Sequence, residues 1–269
     1  MSALAATLLL FYRQAGWLAG PAVETWLRAR LRRGREDAGR LPERLGHPSL
    51  PRPEGRLVWL HAASVGESLS VLPVVERLIR SGLAVLVTTG TTSSAALMRA
   101  RLPPGALHQF VPVDRAPPVR RFLDHWRPDL AVWVESEFWP VMIEETAARD
   151  VPMVLVQGRV SDRSFSRWRR FPGLIGRLLA PFVLCLGQSA RDAERLALLG
   201  ARRVDFVGDL KTAAPPLPAD PAELDRLRAR LAGRTVWLAA STHAGEESVV
   251  GHVHQALAPR HPGLLTLVA

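Results

Sequence analysis

At 269 residues, 48% of them hydrophobic and 22% charged, the chain is long enough for one large or two smaller domains with well-filled cores. Its single cysteine, Cys185, excludes an internal disulfide, and no residue spacing resembles a zinc ligand set, so neither metal nor cofactor is expected. The net charge of +10 implies an acidic partner, but one tyrosine, scattered arginines and no recognisable binding motif argue against nucleic acid and for anionic lipid or a phosphorylated substrate.

The first segment, residues 1–33, reads as a membrane-associated helix. "ALAATLLLFY" and "AGWLAGPAV" are interrupted by Arg13 and Gln14, so no unbroken run of about 20 apolar residues exists to span a bilayer. No positive charge precedes the apolar part, as a cleaved signal peptide requires. Phe11, Trp17 and Trp26 followed by the basic block Arg28 to Arg35 suit a helix lying against anionic lipid. The bland alternative is an amphipathic helix packed on its own domain.

From Arg56 the pattern alternates. The apolar runs "RLVWLHA", "LAVLVTT", "HQFVPV", "DLAVWV", "PMVLVQG", "FVLCLG" and "VDFVG" read as strands, and the segments between them as helices. One longer arginine-rich helical region is expected to reach about Leu179. Strands with little polar alternation, separated by helices, predict a parallel sheet covered on both faces over residues 34–213. The proline-rich residues 214–222 read as a linker. Residues 223–269 then restart the alternation with "TVWLAAS" and "LLTLVA", the beginning of a second Rossmann-like domain.

Ligands collect at strand-to-helix loops along the carboxyl edge of such a sheet. Four of these loops, and one hinge residue, carry chemistry. In "SVGE", Ser64 caps a helix, Gly66 permits close backbone approach, and Glu67 is either a first-turn partner of the helix dipole or a general base. In "VESEFWP", the spacing of Glu135 and Glu137 points both carboxylates the same way in a continued strand. "QGRVSDRSFSRWRR" places Arg159 and Arg163 among hydroxyls, and guanidinium forks suit phosphate geometry. "ASTHAGEE" repeats the first design in the second domain, with Ser241 and Thr242 at a helix start that suits a phosphate group. Lys211 is the only lysine among 35 cationic residues, and it falls at the hinge in "GDLK".

Together "RLG" at 44–46, "HAASVGES" at 61–68, "TTGTTSS" at 88–94, "VESEFWP" at 134–140, "GRVSDRS" at 158–164, "GDLK" at 208–211 and "ASTHAGEE" at 240–247 resemble the 3-deoxy-D-manno-octulosonic acid (Kdo) transferases, in order over essentially the whole chain. The resemblance implies a GT-B glycosyltransferase, metal-independent and inverting, that moves Kdo from CMP-Kdo to lipid IVA at the cytoplasmic side of the inner membrane. By the same resemblance Glu67 is the general base, and Glu135 and Lys211 stabilise the transition state. The family continues after "LLTLV" into a proline-arginine-histidine motif and a glycine-rich motif, both tied to CMP. Neither is present in this sequence, so the chain as given is expected to bind the acceptor without holding CMP tightly. Two other readings stay open: a MurG-like GT-B transferase on another lipid-linked acceptor, and a non-catalytic acceptor-binding membrane module.

Overall fold

A computed structural model describes residues 3–213 and 219–269. The chain divides into two units, Met1–Pro215 and Pro216–Ala269. Most of the expected linker, residues 214–218, lies outside the described residues.

The first unit begins with α1 (Ala3–Leu18), α2 (Gly20–Arg32) and the short α3 (Leu41–Arg44). Strands and helices then alternate as β1 (Leu57–His61), α4 (Val65–Arg80), β2 (Ala84–Thr89), α5 (Thr92–Arg101), β3 (Ala106–Phe110), α6 (Ala116–Trp126), β4 (Leu130–Val134) and α7 (Pro140–Ala147). They continue as β5 (Met153–Gly158), α8 (Asp162–Trp168), α9 (Pro172–Leu179), β6 (Phe182–Gly187), α10 (Ala190–Leu198) and β7 (Val204–Asp205), and end in a 3₁₀ turn, Leu210–Ala213. All strand pairings are parallel, in the order β3-β2-β1-β4-β5-β6-β7. The order reverses between β1 and β4, which makes the crevice above their carboxyl ends the topological switch point.

The period of two along β1 fills both faces. Leu57 and Trp59 join a core with α6, α7 and α9, while Val58 and Leu60 join the core under α4 and α5. Trp59 packs on Phe122 and Trp133 with ring centroids 4.9 and 5.4 Å apart. Both faces are therefore dry, which is what continuous apolar strands require.

Several expectations change. The amino-terminal segment forms two helices, not one. Pro21 has no amide hydrogen and its ring would clash inside a continuous helix, so it sits in the first turn of α2. The guanidinium of Arg115 donates to the carbonyls of Gly16 and Trp17, the open end of α1. The arginine-rich region is also two helices, because Pro172 opens α9 in the same way. "VDFVG" contributes only a two-residue strand, and "HQFVPV" pairs only as far as Phe110.

Helix α1 docks on α6 and α9. Arg13 pairs with the buried Glu145 at 3.1 Å, and Tyr12 donates to Asp114 at 3.0 Å. Its opposite side leaves Phe11 (71% exposed), Trp17 and Leu18 (72%) in solvent. No helix among the described residues is long and apolar enough to cross a membrane.

The second unit holds α11 (Pro221–Leu231), β8 (Val236–Ala239), α12 (Glu246–Leu257) and β9 (Leu265–Val268), with the two strands paired in parallel.

Candidate active site

Glu67 stands at the third position of α4, directly after β1. Ser64 is the cap of that helix and accepts from the Glu67 amide. The Glu67 carboxylate reaches back to the Ala63 amide at 2.8 Å and accepts from the Ser64 hydroxyl at 2.7 Å. These bonds fold the side chain back over the helix start and leave it buried at 6% exposure. Glu67 thus stands in the first turn of α4, where a carboxylate complements the helix dipole. This does not exclude the other role, because each oxygen retains a lone pair beyond these bonds. Gly66 precedes it, exposed, and a Cβ there would meet nothing. Internal packing therefore does not require a glycine at this position.

Glu135 lies at the end of the neighbouring β4, across the switch point. The strand stops at Val134, and Glu135 takes φ +59°, the left-handed region that non-glycine residues avoid. The two carboxylates of "ESE" therefore do not continue a strand or share its face. Burial pushes the Glu137 carboxyl above its ordinary range, a hydrogen bond from Trp139 Nε1 at 2.7 Å pulls it down, and the charges of Glu67 and Glu135 add to the rise. The charges of Glu67 and Glu135 are thus both felt at Glu137, beside the point where the strand order reverses.

The third loop follows β5. The Ser136 hydroxyl donates to the Arg159 carbonyl, which ties this loop to the glutamate loop. The Arg159 and Arg163 side chains are exposed and have no ion-pair partner among the described residues. The other members of "GRVSDRS" are accounted for by the fold. A Cβ on Gly158 would come 2.8 Å from Leu196, Ser161 caps α8, and Asp162 pairs with Arg191 and Arg195. "RLG" is likewise structural. Arg44 is buried against Glu36, and a Cβ on Gly46 would lie 2.0 Å from the Pro118 carbonyl.

Lys211 sits in the 3₁₀ turn, which packs against α4, the helix that Glu67 opens. Its side chain lies outside the described residues. Asp209 pins the turn by accepting from Gln157 at the end of β5 and from Gln188 after β6, the latter at 3.2 Å. Ser241 and Thr242 belong to the second unit. Ser241 also has positive φ, +59°, and its amide donates to the Ala269 carbonyl at 2.7 Å.

Residues 39–214 match the family model for 3-deoxy-D-manno-octulosonic-acid transferase. The chain belongs to the Kdo transferase family. It is 35% identical over 266 residues to a probable mitochondrial 3-deoxy-D-manno-octulosonic acid transferase of Arabidopsis thaliana, covering 96% of this chain and 60% of that protein. It is 36% identical over 219 residues to the 3-deoxy-D-manno-octulosonic acid transferase of Rickettsia felis, covering 77% of this chain and 47% of that protein. The chain thus spans about half to three fifths of the length of these Kdo transferases. Its fold is that of the GT-B class. The UDP-GlcNAc 2-epimerase of Neisseria meningitidis superposes with a TM-score of 0.53 at 12% identity, over 80% of this chain and 65% of that one.

Sequence reading missed Gln157, Gln188 and Asp209 as the clamp beneath Lys211, since amides carry no motif until a fold brings them to one acceptor. It also missed Asp114. This carboxylate accepts from the Val141 and Met142 amides at 3.2 and 2.8 Å, and so caps α7, whose own cap residue Trp139 offers no side-chain acceptor.

Proposed function

We propose that the complete enzyme transfers Kdo from CMP-Kdo to lipid IVA at the cytoplasmic face of the inner membrane. The observation that supports this reading is that the loops after β1 and β4 flank the switch point, with the charges of Glu67 and Glu135 both felt at Glu137 and the loop after β5 tied in through Ser136 and the Arg159 carbonyl. In this mechanism the acceptor hydroxyl attacks the anomeric carbon of Kdo as the bond to the CMP phosphate breaks. The hydroxyl proton passes to Glu67, and the electron pair leaves with CMP. Glu135 faces the oxocarbenium-like sugar, where a carboxylate favours positive charge. Lys211 offsets the negative charge growing on the departing phosphate. Ser64, Gly66 and Glu137 border the acceptor, Arg159 and Arg163 take its phosphate, and Ser241 and Thr242 serve the donor from the second unit.

The apolar outer side of α1 and the exposed Arg28, Arg32, Arg33 and Arg35 of the α2 region support an anchor on anionic lipid. The test of the whole reading is transfer of labelled Kdo from CMP-Kdo to lipid IVA by the complete enzyme. Transfer to a different lipid-linked acceptor, with lipid IVA inert, would favour the MurG-like alternative.

A further inference from the structure

Trp139 stands where the glutamate loop after β4 turns into α7, and it is 40% exposed. The tryptophans that build the core, Trp59, Trp126 and Trp133, are fully buried. The Trp139 ring borders a cleft of about 450 Å³ that reaches Ala63, Gly90 and Thr91, in the loops after β1 and β2. That volume falls within the ~300–1,000 Å³ typical of small-ligand sites. A large apolar ring thus meets solvent at the carboxyl edge of the sheet, beside the loop that carries Glu67.

The ring is held in place at three atoms. The Trp139 amide donates to the Glu137 carbonyl at 3.0 Å, its carbonyl accepts from the Ile143 amide at 3.0 Å, and Nε1 donates to the Glu137 carboxylate at 2.7 Å. Pro140 follows at the start of α7, where its fixed φ sets the entry of the chain. The N–H bond of an indole lies in the ring plane, so Glu137 takes an edge of the ring and neither face. Among the described residues, no aromatic ring or guanidinium is stacked on those faces.

A flat apolar face with a carboxylate at its rim has the chemistry of a sugar site. The carbon-bound hydrogens on one side of a pyranose ring pack on the face, and hydroxyls at the edge of the sugar donate to the carboxylate. We propose that Trp139 is the platform on which the pyranose ring of the acceptor stacks, with Glu137 holding the indole through Oε2 and a sugar hydroxyl through Oε1. The proposal rests on the Kdo-transfer reading, in which Glu67 takes the proton of the acceptor hydroxyl, and it names what holds the ring bearing that hydroxyl still. Charge selects the acceptor over the donor sugar. Kdo carries a carboxylate of its own, which Glu137 repels, whereas the hydroxyls of the acceptor ring suit it.

Two measurements separate a platform from a merely structural residue. In the complete enzyme, Trp139→Leu keeps an apolar side chain and loses the flat face, so KM for lipid IVA should rise about three- to tenfold while KM for CMP-Kdo stays unchanged. Trp139→Phe keeps a face and should recover most of that loss, whereas a space-filling role would make the two variants alike. The second measurement is proton NMR of fully deacylated lipid IVA, a soluble sugar phosphate, titrated with the 269-residue chain. Carbon-bound protons of one sugar ring should shift upfield, as hydrogens over an indole face do. Trp139→Leu should abolish that shift and Trp139→Phe should keep it. Sugar protons that stay unshifted with the unaltered chain, equal effects of Leu and Phe, or a rise confined to KM for CMP-Kdo would overturn the proposal. If the Leu variant does not fold, the shift with the unaltered chain decides alone. Upfield shifts without Kdo transfer to lipid IVA by the complete enzyme would sink the transfer reading and keep the platform. Transfer with unshifted protons would do the reverse.

Discussion

Glu67 closes the first turn of α4 and is also the group proposed to accept a proton, and two substitutions separate those roles. Glu67→Gln keeps an oxygen for the Ala63 amide, so the melting temperature should stay nearly unchanged while kcat of the complete enzyme falls at least about 100-fold. Glu67→Ala should lose the same activity and about 1 kcal/mol of stability besides, as removal of a cap does. Near-normal turnover by the Gln variant would move the base to Glu135 or Glu137. Lys211 poses a question of shape. A compact ammonium suits a turn held by Asp209 against α4, and a guanidinium fork is bulkier. Lys211→Arg should therefore keep its thermal midpoint and lose most activity, and full activity would reduce Lys211 to a chance lysine. The carboxylates drew attention in the sequence because charged residues at strand ends stand out from apolar runs, and Lys211 because it is the only lysine. The turn at Glu135 was not, since nothing in "VESEF" marks a left-handed residue that only glycine adopts without strain. The partner of His61 was equally hidden, since Thr88 comes from another strand.

Helices were legible throughout the alternating region, with local caps as at Ser64, Thr91 and Ser189; what was not legible is a cap supplied by a distant residue. Asp114 is such a residue, joining α1 through Tyr12 to α7 through two amides. Burial lifts its carboxyl from 3.8 to about 6, so the stability it allows is fully present below pH 3.8 and is lost as pH rises through about 6, roughly 3 kcal/mol in all. His61 and His108 act oppositely. Burial depresses them to about 4 and about 3, so their contribution is present above pH 6.5 and is lost on acidification. Asp114→Asn removes only the first effect. Its melting temperature should drop more between pH 7.5 and pH 4.5 than that of the unaltered protein; an equal drop would show that Asp114 does not titrate in this range. At the end of α6, Arg127 holds φ +41° as the residue that closes the helix. Arg127→Gly should relieve about 1 kcal/mol of backbone strain and raise the melting temperature by about 2–4 °C.

On the scale of the molecule, apolar strands and intervening helices were enough to indicate a parallel sheet, while its strand order came only from the structure, because periodicity says nothing about which strands are neighbours. The apolar amino-terminal segment was legible as composition, and its division by Pro21 followed from one residue too easily passed over. Replacing Arg28, Arg32, Arg33 and Arg35 by Gln should weaken sedimentation with anionic vesicles by about 1 kcal/mol per charge at low salt, and little at high salt. Salt-independent sedimentation would set the anchor aside. The docking of α1 has a further consequence, in time. Its partners are α6 and α9, and α9 ends at Leu179, 161 residues beyond Leu18. Ribosomes add roughly 5–20 residues per second, so α1 emerges about 8–30 s before its groove is complete. Throughout that interval Leu9, destined for burial, and Phe11, destined for the surface, are equally unhoused. For that interval the apolar side of the helix is open to any nearby surface before its own domain can cover it, so the order of synthesis bears on which surface it meets first.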